Sequence, residues 1–168
     1  MKDFWGGPCV FRGLCLVVIA TLIGEIAVVH AKSEPAIKRI TEITDELRQQ
    51  LEIPQAVDAE IVPSNSLAFS VEPADHDTHF TISVDSSFLG QLDDEELTAA
   101  IAHELGHVWI YTHHPFLHTE ALANEIALRV VSNGALKSLY GKLQQFEIAR
   151  GDLATPLTGR GLSPNAVH

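Results

Sequence analysis

The segment His103-Glu104-Leu105-Gly106-His107 places two imidazoles and a carboxylate within one short stretch of chain. On a helix, side chains at positions i and i+4 project from the same face one turn apart, so both histidines can bind one zinc ion. Glu104 then lies beside the metal, where its carboxylate can accept a proton from an activated water. The motif predicts one catalytic Zn²⁺, with His103 and His107 as ligands and Glu104 as general base. The alternative is a pair of surface histidines without a shared role.

The residues around this motif predict a helix from Asp94 to about His113. Asp93 can cap its start, and Glu96 three residues later completes a capping box. Pro115 ends the helix, because the residue before a proline is pushed out of the α region. At 100° per residue, the two ligand histidines lie roughly 100–160° around the helix from the middle of an apolar stripe. That stripe is formed by Leu97, Ile101, Leu105 and Val108.

A catalytic zinc usually has three protein ligands, and two residues compete for the third place. His113 follows His107 at the spacing of the HExxHxxGxxH pattern, but Ile110 stands where that pattern has a glycine, and a β-branched residue resists the left-handed turn. If the helix continues, His113 lies roughly 9 Å further along the axis and about 120° off the His107 face. We therefore favour Glu120, at the start of the next helix.

Glu120 and Asn124 are four residues apart and share one face of that helix. Asn124 can accept a hydrogen bond from a ligand imidazole, which would orient the ring. The rivals for the third ligand are Glu125, which points about 140° away from Glu120, and His118 in the preceding loop.

The spacing of hydrophobic residues along the chain predicts the remaining helices and strands. Residues 33–51 predict a helix that ends before Pro54, and the next two helices are predicted near 119–132 and 135–150. Asn133-Gly134 is expected to cap the first of these two at its C-terminus. Three short runs rich in β-formers predict a small antiparallel sheet, separated by Pro63-Ser64-Asn65 and by Glu72-Pro73-Ala74-Asp75. The runs are Ala59–Val62, Ser66–Val71 and His79–Val84.

The first 31 residues carry basic residues, then an uncharged run from Leu14 to Gly24, then a small-residue ending at Ala31. This order predicts a cleaved signal peptide and hence an exported, periplasmic or extracellular protein. The alternatives are an uncleaved anchor over residues 14–31 or, less favoured, a buried helix. Both cysteines lie in this segment, so the mature chain would hold a metal through histidine and carboxylate alone.

The remaining chain is expected to form one domain over residues 32–150, followed by a disordered tail over 151–168. The formal net charge of −11 makes nucleic acid and anionic lipid unsuitable primary partners. No stable membrane span is expected after signal cleavage, and the composition does not predict the oligomeric state.

Three segments resemble the gluzincin metallopeptidases, most closely the family of the prenyl-protein endoproteases and the bacterial heat-shock membrane endopeptidases. Leu97–Val108 is similar to the active-site helix of that family, Asn65–Phe69 to its Asn-Ala-Phe-Ala stretch, and Glu120–Ala127 to its Glu-x-x-x-Asp block. The similarity covers about residues 60–135, and its compactness resembles the single-domain minigluzincins. In the family the glutamate of the last block is the third zinc ligand, which implies that role for Glu120. Asn124 stands where the family has Asp, and the loss of a charge predicts weaker metal binding or slower turnover.

These observations predict an α+β, zincin-like fold in which a small antiparallel sheet packs on the HExxH helix and further helices. The predicted function is zinc-dependent hydrolysis of peptide bonds in a polypeptide substrate, whose backbone would pair with the strand His79–Val84. The alternative is a degenerate zinc-bound module that binds peptides without turnover, with a site closed by His113 or His118. The oxyanion-stabilising residue is left open among Tyr111, His113, His114, His118 and Arg150.

Overall fold

A computed structural model describes residues 34–75, 78–113 and 115–151. The chain divides into two compact units, Met1–Ala36 and Ile37–His168, and only residues 34–36 of the first unit are described. The predicted signal peptide and the predicted tail beyond Gly151 therefore lie outside the described residues. Among the helices that are described, none combines the length and the apolar character needed to cross a membrane.

The described chain has an α+β fold, as predicted. Helix α1 covers residues 34–50. The elements that follow are β1 (Ala56–Val62), β2 (Phe69–Asp75), β3 (His79–Asp85), α2 (Ser86–Leu89), α3 (Asp94–Thr112), α4 (Glu120–Ala127) and α5 (Asn133–Arg150).

The three strands form a mixed sheet in the order β1-β3-β2. The prediction of an antiparallel sheet is right for β2 and β3 but wrong for β1, which pairs with β3 in parallel. The cause is the loop after β1, which carries the chain past β3 to its far side. Asn65 holds this loop, since its side-chain amide donates to the Ser83 carbonyl at 2.9 Å and its backbone N–H donates to Asp85 at 2.9 Å.

Strand β2 is longer than the sequence suggested. Glu72–Asp75, predicted as a turn, continue the strand, with a register shift between Pro73 and Asp75. A proline is tolerated here because β2 lies at the edge of the sheet, where the missing N–H leaves no ladder partner unpaired.

The core lies between the sheet and α3. Phe80, Ile82 and Val84 of β3 are buried, as their alternation predicted. The predicted apolar stripe of α3 is buried as well, and it belongs to the same cluster as the β3 side chains. The stripe consists of Leu97, Ile101, Leu105 and Val108. Because this stripe faces the core, the side of α3 that carries His103 and His107 faces away from the core.

The predicted capping box at the start of α3 is present, with Asp93 and Glu96 each accepting a backbone N–H of the other. Glu96 also binds Lys142 and Ser138 of α5 and is almost fully buried. Burial alone would raise the pKa of the Glu96 carboxyl, but the hydrogen bonds from Lys142, Asp93 and Ser138 and the Lys142 charge lower it. The carboxylate thus ties α3 to α5 while it remains ionised.

Three local assignments differ from the sequence prediction. Helix α4 ends at Ala127 rather than near Ser132, because Arg129 and Val130 continue in a tighter turn with i→i+3 backbone bonds. Asn133-Gly134 begins α5 instead of capping α4, because the Ser132 hydroxyl accepts the Ala135 N–H. The short helix α2 was not predicted, and the Asp85 carboxylate caps it by accepting the N–H groups of Ser87 and Phe88.

Gly106 allows α3 and α4 to lie in close contact. A Cβ atom at this position would lie 2.5 Å from the Ala123 carbonyl oxygen and 3.0 Å from its Cα, both backbone atoms of α4. Because that backbone cannot move aside as a side chain can, any larger residue must push the two helices apart.

We therefore expect Gly106→Ala to lower the free energy of unfolding by about 1–3 kcal/mol or more, measured by urea denaturation of the metal-free protein. Gly141→Ala is the matched control, since a Cβ there meets nothing within 4 Å on α5. That control should stabilise the protein by about 0.5–1 kcal/mol, because alanine loses less backbone entropy in a helix than glycine. Equal stability of the Gly106→Ala protein and its parent would contradict the close approach.

Candidate metal centre

Two imidazoles of α3 meet on the side of the helix that faces away from the core stripe. His103 and His107 are one turn apart, and their Nε2 atoms lie 3.2 Å from each other. Each side chain is 13% exposed, so the pair is largely shielded from water but remains accessible from one side.

Glu120 completes a group of three. It is the first residue of α4, whose start is capped by the Thr119 hydroxyl accepting the Leu122 N–H at 3.2 Å. One Glu120 carboxylate oxygen lies 3.2 Å from His103 Nε2 and the other 3.7 Å from His107 Nε2. Within the described residues, these three form the one group of histidine, cysteine and acidic side chains with metal-binding spacing, their ligand atoms all within 4.8 Å.

The candidate ligand groups are close enough together to bind one small tetrahedral ion. Zinc bonds of about 2.0–2.1 Å at tetrahedral angles place neighbouring ligand atoms about 3.3 Å apart. The two Nε2 atoms are 3.2 Å apart, and each has a different Glu120 oxygen nearby, at 3.2 Å from His103 Nε2 and at 3.7 Å from His107 Nε2. These separations are of the size that one zinc ion bound by both nitrogens and the carboxylate requires. Three ligands leave a fourth tetrahedral position for a water or a substrate atom.

The opposite nitrogens of both imidazoles are occupied by hydrogen bonds. His103 Nδ1 lies 2.9 Å from Asn124 Oδ1, the partner that the sequence predicted. His107 Nδ1 lies 2.7 Å from Nε2 of His118. These contacts hold both rings so that the Nε2 atoms face the shared centre.

Tyr140 of α5 is a site residue that the sequence analysis missed. Its hydroxyl donates to Asn124 Oδ1 at 2.8 Å, and its ring meets that of His103 edge-on at 6.1 Å. A tyrosine on the apolar face of a helix usually buries its ring and needs a partner for its hydroxyl, which was the available signal. Asn124 Oδ1 thus accepts from Tyr140 and contacts His103.

The charges around His103 favour a cation. Burial alone would lower the pKa of His103, but the hydrogen bond to Glu120, the charges of Glu104 and Glu120 and the bond to Asn124 together raise it. Glu104 is itself buried, with 6% of its surface exposed, and it lines the same cavity as His103, His107 and Glu120. Two carboxylates beside two imidazoles stabilise positive charge at the point where a metal would sit.

His103, Glu104, His107 and Glu120 open into a cavity of about 220 Å³. Strand β2 forms one wall with Phe69, Ser70 and Val71, and α5 forms another with Leu139, Tyr140 and Leu143. His118 also lines this cavity. Its walls are therefore largely apolar, whereas the ionisable groups are gathered at the metal centre.

Several residues considered as ligands or oxyanion donors lie away from this centre. Glu125 is exposed on α4 and does not belong to the ligand group. His113 ends α3, where its ring stacks on Trp109 at 4.1 Å and its Nδ1 contacts the Trp109 carbonyl at 2.8 Å. Tyr111 packs edge-on against Phe80.

Of the remaining oxyanion candidates, Arg150 binds Asp85 and the Asn65 carbonyl near the loop after β1. His114 lies outside the described residues. His118 is thus the predicted oxyanion candidate that the structure places in the cavity, while Tyr140 is an additional hydroxyl in the cavity wall.

No protein-family model matches this sequence, and no curated protein sequence matches it. The solved structures that are similar to it include two metallopeptidase zymogens. The metallopeptidase zymogen abylysin of Pyrococcus abyssi has 17% identity and a TM-score of 0.47 over 64% of this chain and 93% of its own. The metallopeptidase zymogen jannalysin of Methanocaldococcus jannaschii has 25% identity and a TM-score of 0.46 over 64% of this chain and 95% of its own. These two structures do not support the resemblance to the prenyl-protein endoproteases and the heat-shock membrane endopeptidases.

Proposed function

We propose that this protein is a zinc-dependent endopeptidase of the gluzincin type, with His103, His107 and Glu120 as ligands and Glu104 as general base. The observation that carries the proposal is the convergence of two imidazole nitrogens and a carboxylate in one open cavity, with the buried Glu104 carboxylate beside them. An exported location, predicted from residues 1–31, is part of the same proposal.

The chemistry of the ligand atoms favours zinc. Two imidazole nitrogens and one carboxylate oxygen form the His₂Glu set typical of catalytic zinc, whereas calcium and magnesium prefer sites built from oxygen alone. Zinc bound here would lower the pKa of a water molecule to about 7 and polarise a substrate carbonyl.

Glu104 is the group proposed to move the proton. It follows His103 directly on α3 and lines the cavity, so its carboxylate is close enough to the proposed metal position to accept a proton from the attacking water. The same carboxyl group then returns that proton to the amine nitrogen as the peptide bond breaks. Burial keeps bulk water away from this transfer.

A polypeptide substrate is proposed to lie along β2 rather than along β3. The sequence had pointed to His79–Val84 for backbone pairing, but β3 is central and both of its edges are paired within the sheet. In the described part of the chain, β2 pairs with β3 alone, and its residues Phe69–Val71 line the cavity. An extended peptide added to this outer edge would place its backbone next to the metal centre.

The alternative of a closed, structural zinc site is less well supported. Such a site would have a fourth protein ligand. His118 Nε2 contacts Nδ1 of His107, on the far side of that ring from the other ligands, and His113 stacks on Trp109. Neither histidine belongs to the ligand group of the described residues.

The proposal is tested by incubating the full chain with an unstructured polypeptide such as casein, before and after zinc removal. We expect cleavage by the zinc-loaded protein, loss of cleavage with a chelator, and recovery when zinc is returned. The absence of cleavage by a fully zinc-loaded chain would overturn the enzyme proposal and favour the peptide-binding module instead. Cleavage that persists in metal-free protein would show that the metal centre is not the active site.

A further inference from the structure

We infer that His118 is a positioning residue for the metal centre: its imidazole accepts a hydrogen bond from the Nδ1–H of His107 and thereby directs His107 Nε2 at the metal. This inference rests on the proposed zinc site but not on peptide cleavage. The loop before α4 would then contribute to metal binding, although His118 belongs neither to the HExxH motif nor to the group of proposed ligands.

The geometry of the two rings is that of a direct hydrogen bond. His107 Nδ1 and His118 Nε2 are 2.7 Å apart, the ring centroids are 4.9 Å apart, and the ring planes differ by 29°. The distance between the ring centroids is longer than the distance between the two nitrogens by roughly two ring radii, one for each ring. This is the difference expected when both nitrogens lie near the line that joins the centroids. The rings therefore meet edge to edge, with planes that differ by 29°, and they do not overlap face to face.

The ligand geometry determines which nitrogen donates. His107 Nε2 faces His103 Nε2 at 3.2 Å and Glu120 at 3.7 Å, so its lone pair is the one available to a metal. The proton of the neutral His107 ring must then sit on Nδ1. His118 Nε2 accepts that proton's hydrogen bond, and His118 carries its own proton on Nδ1.

Each of the two histidines is thus oriented by a hydrogen bond to its Nδ1 atom, and the two partners belong to different elements. Asn124 of α4 contacts His103, and His118 of the loop contacts His107. His118 is two residues before Glu120, and Thr119 between them caps α4. One short turn of chain therefore sets the third ligand and the orientation of the second, which links the loop conformation to metal affinity.

His118 is also suitable for a clean test because it is exposed, so replacing it should disturb the core little. Two variants separate hydrogen bonding from ring packing. His118→Phe keeps a flat ring but removes the acceptor, whereas His118→Gln places an amide oxygen at about the reach of Nε2.

The experiment measures zinc affinity of the full chain by competition with a chromophoric chelator, for the parent and both variants. We expect His118→Phe to weaken zinc binding by about 10–100-fold and His118→Gln to stay within a few-fold of the parent. In ¹⁵N-labelled zinc-loaded protein, the His107 Nδ1–H signal should be protected from exchange in the parent and in His118→Gln but not in His118→Phe. Thermal unfolding of the three metal-free proteins should be the same.

Equal zinc affinity of the parent and His118→Phe would overturn the inference, as would a His118→Gln variant as weak as His118→Phe. A parent chain that binds no zinc would overturn both this inference and the proposed function. A parent that binds zinc but cleaves no peptide would overturn the proposed function alone, because the affinity comparison still decides the role of His118.

Discussion

Replacing Glu104 with Gln is expected to lower peptide cleavage by about 10²–10⁴-fold while zinc content stays at the parent level. The carboxylate is buried in the cavity wall beside the three ligand residues but is not one of them. The amide has nearly the same size and shape but cannot accept a proton at neutral pH. The loss should therefore fall on kcat, measured with a fluorogenic peptide at saturating zinc.

The matched control for this variant is Glu125→Gln. Glu125 has the same chemistry but is exposed on α4 and outside the ligand group, so its replacement should leave cleavage unchanged. Parent-level cleavage by Glu104→Gln would rule out Glu104 as the general base. Loss of zinc from the same variant would mean instead that Glu104 helps to hold the metal.

Replacing Glu120 with Ala is expected to weaken zinc binding by more than the roughly 10–100-fold typical of residues that only orient ligands. The change removes one of the three proposed ligands and the negative charge that lies 3.2 Å from His103 Nε2. Because the Glu120 side chain is 41% exposed, the metal-free protein should keep its stability. Chelator competition measures the affinity, and urea denaturation of metal-free protein measures the stability.

Glu125→Ala controls for the loss of a carboxylate from α4 and should bind zinc as tightly as the parent. If Glu120→Ala binds zinc as tightly as Glu125→Ala, the third ligand has been wrongly assigned. In that case the metal would be held by the two histidines together with some other group.

The parts of the fold that were predicted correctly are determined by residues that are close together in the sequence. The start of α3 is set by Asp93 and Glu96 three residues apart, and its buried face follows from the helical period. The parallel pairing of β1 was not predictable in the same way. The loop that follows β1 is held by contacts of Asn65 with Ser83 and Asp85, which are 18 and 20 residues away along the chain.

In the candidate site, too, the features that follow from local spacing could be predicted and those that depend on distant contacts could not. The shared face of His103 and His107 follows from helix geometry alone, and the shared face of Glu120 and Asn124 follows from their four-residue spacing. Tyr140 reaches Asn124 only because α5 packs against α3, and nothing local in its sequence specifies that contact.

His118 and Gly106 show two further limits of local patterns. His118 was considered as a ligand or an oxyanion donor, because a pattern of residue types does not reveal which nitrogen faces which neighbour. The sequence analysis assigned no role to Gly106, whereas the approach of the Ala123 backbone makes it a packing position. Both roles depend on the distance between α3 and the chain that follows it.

The most direct test of the central claim is the zinc content of the purified full chain after reconstitution and removal of excess metal, measured by elemental analysis. The convergence of His103, His107 and Glu120 predicts one zinc per chain. A parent protein that retains no zinc under these conditions would contradict the metal centre and with it the proposed hydrolysis.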